Sequence, residues 1–444
     1  MWWQMKRIIY VSHDQLNAKC GALKESNPKD DLIVLVESAR MVSGDHWNKV
    51  RLYFLLSSAA HFVKSLQEPC IYHKGVGDDI VALAVFVDDI IVVGPSNEHI
   101  EAVKDFLKLF FEINDEGELN WYIGIKIIRD RKNRKIYLLQ PQYIKDLLIK
   151  FNMLGCKPCG TPVDSSIDLE LMKRKDGDVE SIVKLGLPYR EAVGSLMFLM
   201  VSTRADLAYA LSVVSRVLDN YSFYAWKAVK RIMRYLQGTV NYGIVLGASE
   251  GSGNNMILEC YVDADWAGDK TDRKSTTSGY VTFLDKSLVS WKCEKQAVVA
   301  QSTTEAELIS ANSGAREVIA LRRIMTDLGI PQVKPTTMFE DNQGCIALMH
   351  NDVKNKRTKH IEIKYFWIRD QITNGELNMV YCPTERMVAD IMTKALNREL
   401  FCRLRSMLGI LDVNDCLEED LVLAGKKNEL SEGVIGNAVL DHGN

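Results

Sequence analysis

The sequence predicts a multidomain protein of the α/β and α+β classes, and three observations support this class. Residues 256–410 alternate between β-like apolar runs and helix-like segments, an order typical of a mixed sheet covered by helices. Residues 80–94 contain two apolar runs around an acid pair, which indicates a β-hairpin. A Gly, Ser and Asn-rich segment at 247–255 indicates a flexible linker between these regions. The 444 residues, 47% of them hydrophobic, suffice for about three domains.

Four helices are predicted in the region between the hairpin and the linker. Apolar residues recur at helical spacing in four segments, Val103–Phe111, Tyr143–Phe151, Tyr189–Val217 and Ala225–Leu236. Residues 1–61 show no settled pattern, and we expect this segment to pack poorly.

The region after the linker is predicted to hold five strands. We expect three strands that end near Lys292, a helix to about Leu328, a strand before Asp341, helices near 344–349 and 359–373, a strand at Leu377–Tyr381 and a last helix. Residues 411–444 are acidic with few basic residues, and this composition predicts weak order.

Four carboxylates occur where a strand or helix would direct them towards one point. They are Asp263, Glu307, Asp341 and Asp390. Mg²⁺ prefers carboxylate and water oxygens, and two such ions can hold the attacking and leaving oxygens of a phosphodiester. The set therefore predicts a divalent-metal site for phosphodiester hydrolysis. For any single member, a surface or capping role is the alternative, because Asp and Glu are mostly exposed.

A capping pattern distinguishes Glu307 from the nearby Glu305. Ser302 followed three residues later by Glu305 is a capping box, in which the Glu side chain turns back to the helix N-terminus. Glu307 lies about 200° further round the helix, so we expect it to be free to bind metal.

The four carboxylates lie within a series of motifs that occur in order along the chain. These motifs are Tyr261–Asp269, Asp272–Tyr280, Ser290–Lys292, Lys295–Gln296, Ser302–Glu307, Asp341–Gln343, Arg357–Ile361 and Ala389–Lys394. This series resembles the ribonuclease H domain of a copia-type LTR-retrotransposon Pol polyprotein. The resemblance implies a ribonuclease H-like mixed five-stranded sheet with helices at 256–410. It also implies that Asp263, Glu307, Asp341 and Asp390 hold two Mg²⁺ (or Mn²⁺) ions and cleave the RNA strand of an RNA–DNA hybrid.

The hairpin segment carries a second resemblance. Phe86-Val87-Asp88-Asp89 resembles the aromatic-x-Asp-Asp hairpin of reverse transcriptase. Later runs resemble copia-type polymerase as well, at Leu119–Ile125, Leu139–Ile144, Gly160–Pro162, Gly194–Met197 and Val201–Arg204. Residues 62–246 are thus predicted to be a truncated palm, thumb and connection. The divisions that follow are 1–61 degenerate, 62–246 reverse transcriptase, 247–255 linker, 256–410 nuclease and 411–444 tail.

Polymerisation in this family needs a further metal-binding Asp on an earlier palm strand, and nothing in residues 1–61 resembles that part. The sequence therefore predicts a hybrid ribonuclease fused to an inactive RNA-directed DNA polymerase that retains Asp88 and Asp89. Two alternatives are a non-catalytic nucleic-acid-binding remnant of a decayed element, and a polymerase completed by an acid from another chain.

Net charge restricts how this chain could contact nucleic acid. The formal charge of −3 argues against a uniformly basic surface, so any basic surface is local. Lys227, Lys230, Arg231 and Arg234 share one predicted helix face and are candidate phosphate contacts. A solvated helix face is the alternative.

Cysteine spacing and hydropathy predict the compartment. Ten cysteines form no framework, and no secretory signal or membrane-length apolar run is visible. We therefore expect no membrane association and a reducing, intracellular location, cytoplasmic or nuclear, with virus-like particles if the parent element is active.

Overall fold

The computed structural model describes residues 35–41, 52, 55–75, 79–87, 89–174, 186–247, 256–266, 276–350 and 362–417. The predicted linker beyond Gly247, Asp88, the Arg357–Ile361 motif and residues 418–444 lie outside the described residues. The described residues form three sheets with helices between them, which confirms the mixed α/β class. No helix in these ranges is both long and apolar enough to cross a bilayer.

The first sheet has six antiparallel strands. They are β1 (Leu35–Met41), β2 (Val63–Lys64), β3 (Ile71–Lys74), β4 (Val81–Phe86), β5 (Asp89–Gly94) and β6 (Ile113–Glu118), in the order β2-β3-β4-β5-β1-β6. Alternation along β4 and β5 sends Leu83 and Val92 to a core shared with helix α1 (Asn97–Lys108). Ala84 and Ile91 enter the main core on the other face.

Strand β1 lies within residues 1–61, which we expected to pack poorly, yet residues 35–41 form a strand of the first sheet. The strand pairs with β5 on one side and β6 on the other. Its sequence, Leu-Val-Glu-Ser-Ala-Arg-Met, alternates poorly. Pairing with two neighbours supplies the order that the pattern lacks, because strand formation depends strongly on tertiary context.

The second sheet joins distant parts of the chain. Its strands are β7 (Trp121–Tyr122), β8 (Ile125–Asp130), β9 (Lys135–Leu139), β10 (Tyr242–Gly247) and β16 (Ile410–Asp412), in the order β16-β10-β9-β8-β7. Four α-helices accompany it, α2 (Pro141–Lys150), α3 (Tyr189–Ser202), α4 (Ala208–Ser215) and α5 (Phe223–Gln237).

The predicted helix over Tyr189–Val217 is interrupted. Helix α3 ends at Ser202, and a 3₁₀ turn at Ala205–Leu207 precedes α4. The break lets the buried Arg204 side chain fold onto Asp206, with Nε 3.0 Å and Nη2 2.8 Å from the two carboxylate oxygens. In a continuous helix, residues two apart do not face each other, so the buried ion pair requires the interruption.

Residues 411–417 differ from the expectation of a weakly ordered tail. Strand β16 pairs with β10, and residues 413–417 are helical. Ile410 and Val413 are fully buried. These two apolar side chains anchor the segment despite its acidic composition, because their burial outweighs the preference of nearby charges for solvent.

The third sheet is mixed and has five strands. They are β11 (Leu258–Asp265), β12 (Thr277–Leu284), β13 (Ser287–Lys295), β14 (Thr336–Glu340) and β15 (Leu377–Tyr381), in the order β13-β12-β11-β14-β15. β11–β12–β13 are antiparallel, whereas β14 pairs in parallel with β11 and β15. Its helices are α6 (Thr303–Asp327), α7 (Gln343–His350), α8 (Glu362–Thr373), α9 (Asp390–Thr393) and α10 (Arg398–Met407).

The third sheet packs directly on the helices of the preceding region. The indole Nε1 of Trp291 donates to the carbonyl of Met200 at 3.2 Å, and Arg216 donates to the Thr277 hydroxyl at 2.9 Å. One continuous hydrophobic core contains residues from both regions. The linker predicted at 247–255 therefore does not separate two independent hydrophobic cores in the described part of the chain.

Candidate metal centre

Two neighbouring parallel strands place Asp263 beside Asp341. Tyr261 on β11 is in register with Phe339 on β14, and each acid lies two residues further along its own strand direction. Carboxyl ends of parallel strands meet at one sheet edge. Asp263 is 1% exposed, and Asp341 is half-buried and accepts a hydrogen bond from Thr384 Oγ1 at 3.0 Å.

Small residues on helix α6 bring Glu307 to this edge. Ser310 Oγ donates to the backbone carbonyls of Asp263 at 2.7 Å and Gly279 at 3.1 Å. A Cβ at Gly314 would lie 2.6 Å from Val262 Cγ1, so glycine is needed for this close approach. Positions 307, 310 and 314 share one helix face, and the face that approaches β11 therefore carries Glu307.

The two glutamates at the helix start have different hydrogen-bond partners. Ser302 Oγ accepts from the Glu305 backbone N–H at 3.1 Å. Glu305 Oε2 accepts from the backbone N–H of Gln301 at 2.7 Å, one residue before the predicted partner. Glu305 thus caps the helix, whereas Glu307 Oε2 is buried without a hydrogen-bond partner.

Three of the four predicted acids meet. Carboxylate oxygens of Asp263, Glu307 and Asp341 all lie within 4.8 Å of one another, an arrangement that could hold a metal ion. Asp390 is not in this group. It lies at the start of α9, which packs so closely on β12 that a Cβ at Gly279 would be 2.5 Å from Met392 Cβ.

Lys394 connects Asp390 to the other acids. Its ammonium lies 2.7 Å from Asp390 Oδ1 and 3.1 Å from Asp263 Oδ1. The Thr393 hydroxyl donates to the other oxygen of Asp263. Burial alone would lower the pKa of Lys394, but the two carboxylates raise it, so the side chain is a fixed cation.

Burial and mutual repulsion favour protons on the remaining acids. Burial raises the pKa of Glu307 to about 11, with further contributions from Glu340, Asp263 and Asp341. Burial, followed by the charge of Asp263, raises the pKa of Asp390 to about 7. The pKa of Asp341 is raised by burial first and then by Asp263. Close carboxylates remain ionised together only when cations compensate them, so this acid set suits divalent cations.

Sequence reasoning missed two members of this site, Glu340 and Lys394. Glu340 is 0% exposed, its Oε1 accepts from the Asn342 backbone at 3.0 Å, and its Oε2 has no partner. Burial raises its pKa to about 8. The available signals were an acid that ends a buried strand, and a Lys four residues after Asp390 on the same helical face.

Two of the four side chains on the predicted basic helix face are engaged by partners within the protein. Arg231 pairs with Asp164 at 2.8 Å and donates to Thr161, and Arg234 Nε donates to the carbonyl of Lys157. Lys227 and Lys230 instead place their ammonium groups 5.2 and 6.0 Å from the Phe223 ring centroid.

At the hairpin, Asp89 begins β5 and is in register with Arg40 of β1. The only acid of β1 is Glu37, three residues from Arg40 and in register with Val92 and Glu118. The strand next to Asp89 therefore contains no Asp.

Known proteins share much of this sequence. Residues 41–165 match the reverse transcriptase (RNA-dependent DNA polymerase) family model. The retrovirus-related Pol polyprotein from transposon TNT 1-94 of Nicotiana tabacum is 37% identical over 350 residues, 79% of this chain. That from transposon RE1 of Arabidopsis thaliana is 37% identical over 354 residues, also 79%. The chain belongs to the copia-type retrotransposon Pol family. It spans about a quarter of these relatives' lengths, 26% and 23%.

The family match also bears on the predicted division at residue 62. It begins at residue 41, which is 21 residues before the predicted start of the reverse transcriptase at residue 62. Among solved structures, a foamy viral protease–reverse transcriptase in complex with dsDNA is 11% identical to this Pol-related chain. The match covers 68% of this chain and 55% of the viral chain. Its TM-score of 0.35 is too low to establish a common fold.

Proposed function

We propose that this Pol-related chain hydrolyses the RNA strand of RNA–DNA hybrids, with residues 256–410 as the nuclease. The convergence of Asp263, Glu307 and Asp341 within 4.8 Å is the observation that carries the proposal. Together with Asp390 they would bind two Mg²⁺ or Mn²⁺ ions. The oxygen-only donor set suits these hard cations, and the partnerless oxygens of Glu307 and Glu340 support the fit.

Each residue has a distinct part in this proposal. Bound divalent ions would supply an activated water and neutralise charge on the phosphodiester. Asp263, held by β11 and by its contacts with Thr393 and Lys394, orients the site, while Asp341 and Glu307 provide further carboxylate oxygens. Lys227 and Lys230, beside Phe223, are proposed contacts to the hybrid backbone, whereas Arg231 and Arg234 must first exchange their internal partners.

The nuclease proposal is tested by cleavage of a labelled hybrid with the full chain and two matched variants. Asp341→Asn removes one charged ligand with little change in size, and we expect no cleavage. Asp370→Asn alters an exposed acid of α8 and should cut like the wild type. Equal cutting by both variants would contradict the assignment. Tight hybrid binding without cutting by the wild type would instead indicate the non-catalytic remnant.

We infer that the reverse transcriptase part does not polymerise DNA. The register of Arg40 with Asp89, and the lack of Asp in β1, support this inference. Primer extension on a primed RNA template should be undetectable. Deoxynucleotide incorporation that disappears in Asp89→Asn but persists in Asp370→Asn would contradict it.

A further inference from the structure

The acid cluster has two sides, which differ in how many of their carboxylate oxygens already have hydrogen-bond or ion-pair partners. On one side, Glu307 Oε2 has no hydrogen-bond partner, and Asp341 accepts only a neutral hydroxyl among its side-chain contacts. On the other side, both oxygens of Asp263 are engaged, Oδ1 by the Lys394 ammonium and Oδ2 by the Thr393 hydroxyl. Asp390 Oδ1 binds the same ammonium.

The position of Lys394 follows from local geometry. Asp390 and Lys394 are four residues apart, so they meet on one side of the α9 turn. Close packing of α9 on Gly279, which is itself in register with Asp263, brings this pair to β11. The carboxylates of Asp263 and Asp390 are 1% and 5% exposed, whereas Lys394 is 32% exposed. Buried carboxylates need a compensating charge, and the ammonium supplies it from a stem that still reaches solvent.

We propose that Lys394 is an internal cation that occupies the Asp263–Asp390 side of the site and competes there with a divalent ion. At the Glu307–Asp341 side the Lys394 ammonium forms no recorded hydrogen bond or ion pair, and its charge acts on these two acids only through space. Binding on the Asp263–Asp390 side requires the flexible four-carbon stem to withdraw its point charge. Lys394 thus sets the divalent-ion concentration at which the second position fills. This inference rests on the proposed metal site but concerns a different residue and a different measurement.

Mn²⁺ binding to the full chain without nucleic acid is the test, measured by equilibrium dialysis. In Lys394→Met, the Mn²⁺ affinity of the weaker position should increase at least about tenfold, because a repelling unit charge close to the ion is removed. Lys394→Arg should bind as the wild type does, since it keeps the charge. The control Lys292→Met removes an exposed Lys of β13 that pairs with Glu294 and should change nothing.

Thermal unfolding without metal provides the second measurement. Lys394→Met should melt below the wild type, and Mn²⁺ should raise its midpoint more than that of the wild type. Lys394→Gln serves as a second neutral variant. Unchanged or weaker Mn²⁺ binding in both neutral variants would overturn the role of Lys394, even in an enzyme that cuts hybrids. Tighter binding in a protein that cuts no hybrid would uphold that role and refute the nuclease instead.

Discussion

At the scale of single residues, the site is defined by acids whose charges the fold does not fully compensate. Glu340 illustrates this, because it is completely buried with one oxygen unpartnered. An ion pair or dense hydrogen bonding would make such a residue structural. Its recorded hydrogen bonds come from the backbone of Asn342 and Asp341, and the charges of Asp341 and Asp263 act on it. These neighbours place it with Glu307 and Asp263 in the cation-binding region.

The raised pKa values predict that the metal-free protein loses stability as pH rises. Glu340 has a folded pKa of about 8 against 4.5, so between these values the folded state binds a proton that the unfolded chain has released. Stability is therefore present below pH 4.5 and declines as pH rises through 8. Asp390, at about 7, acts in the same direction.

Thermal unfolding midpoints, measured in EDTA across this pH range, test the predicted loss of stability. Glu340→Gln should flatten the decline, whereas Glu385→Gln, an exposed acid, should not. Saturating Mg²⁺ should also flatten the decline in the wild type. A midpoint that rises with pH, or identical slopes in the two variants, would refute the charge assignment.

Sequence alone predicted Asp263, Glu307 and Asp341 because each lies at a strand or helix end with a clear local pattern. It did not predict Lys394 as part of the site, because its role depends on α9 packing against Gly279. The sequence also predicts Arg231 and Arg234 as phosphate contacts, although both side chains have partners within the protein. Helical spacing predicts a shared face, but not the internal partners that Asp164 and Lys157 provide.

At the scale of secondary-structure elements, two close approaches between helix and sheet position the acids. Helix α6 approaches β11 through Gly314, and α9 approaches β12 through Gly279. Predicted strand and helix order in this region agrees with the structure, including β15 at Leu377–Tyr381. The interruption after Ser202 was not predicted, because a buried Arg204–Asp206 pair has no signature in hydrophobic periodicity.

Gly279→Ala should displace α9. The added Cβ would lie 2.5 Å from Met392 Cβ and 2.8 Å from Thr393 Cγ2, so the helix that carries Asp390 must move. We expect a loss of about 1–3 kcal/mol in stability from overpacking, together with reduced hybrid cleavage. Gly194→Ala is the control, since nothing lies within 4 Å of its added Cβ. Wild-type cleavage by Gly279→Ala would show that the position of α9 does not matter.

Asp206→Asn should be among the most destabilising polar substitutions. Arg204 and Asp206 are both fully buried, and Tyr235 donates to the same carboxylate at 2.6 Å. An uncompensated buried charge costs about 3–5 kcal/mol, measurable by urea unfolding. Asp164→Asn breaks the more exposed pair with Arg231 and should cost about 0–1 kcal/mol. Equal losses in the two variants would contradict the account.

At the scale of the whole molecule, the C-terminal end of the nuclease region packs back on the region that precedes it. Its last helix sends Arg405 to the Tyr235 hydroxyl at 3.0 Å, and β16 completes the sheet that contains β10. Composition predicted a boundary near 247–255 but could not reveal that the chain returns to the earlier sheet, because β16 is only three residues long.

Unfolding of the full chain should therefore be cooperative across this boundary. Calorimetry should give one transition for the second and third sheets together, because they share a core. A chain limited to residues 256–410 should melt at a lower temperature, since it leaves Trp291 and Arg405 without Met200 and Tyr235. Two separate transitions in the full chain, one matching the isolated segment, would show that the regions are independent.

Strand-specific cleavage by the full-length wild type tests the central claim most directly. A hybrid labelled on its RNA strand and the same hybrid labelled on its DNA strand are incubated with Mg²⁺ or with excess EDTA. The metal centre formed by Asp263, Glu307, Asp341 and Asp390 predicts RNA fragments only with Mg²⁺ and an intact DNA strand throughout. RNA cleavage that persists in EDTA, or no cleavage of either strand by folded protein saturated with Mg²⁺, would contradict it.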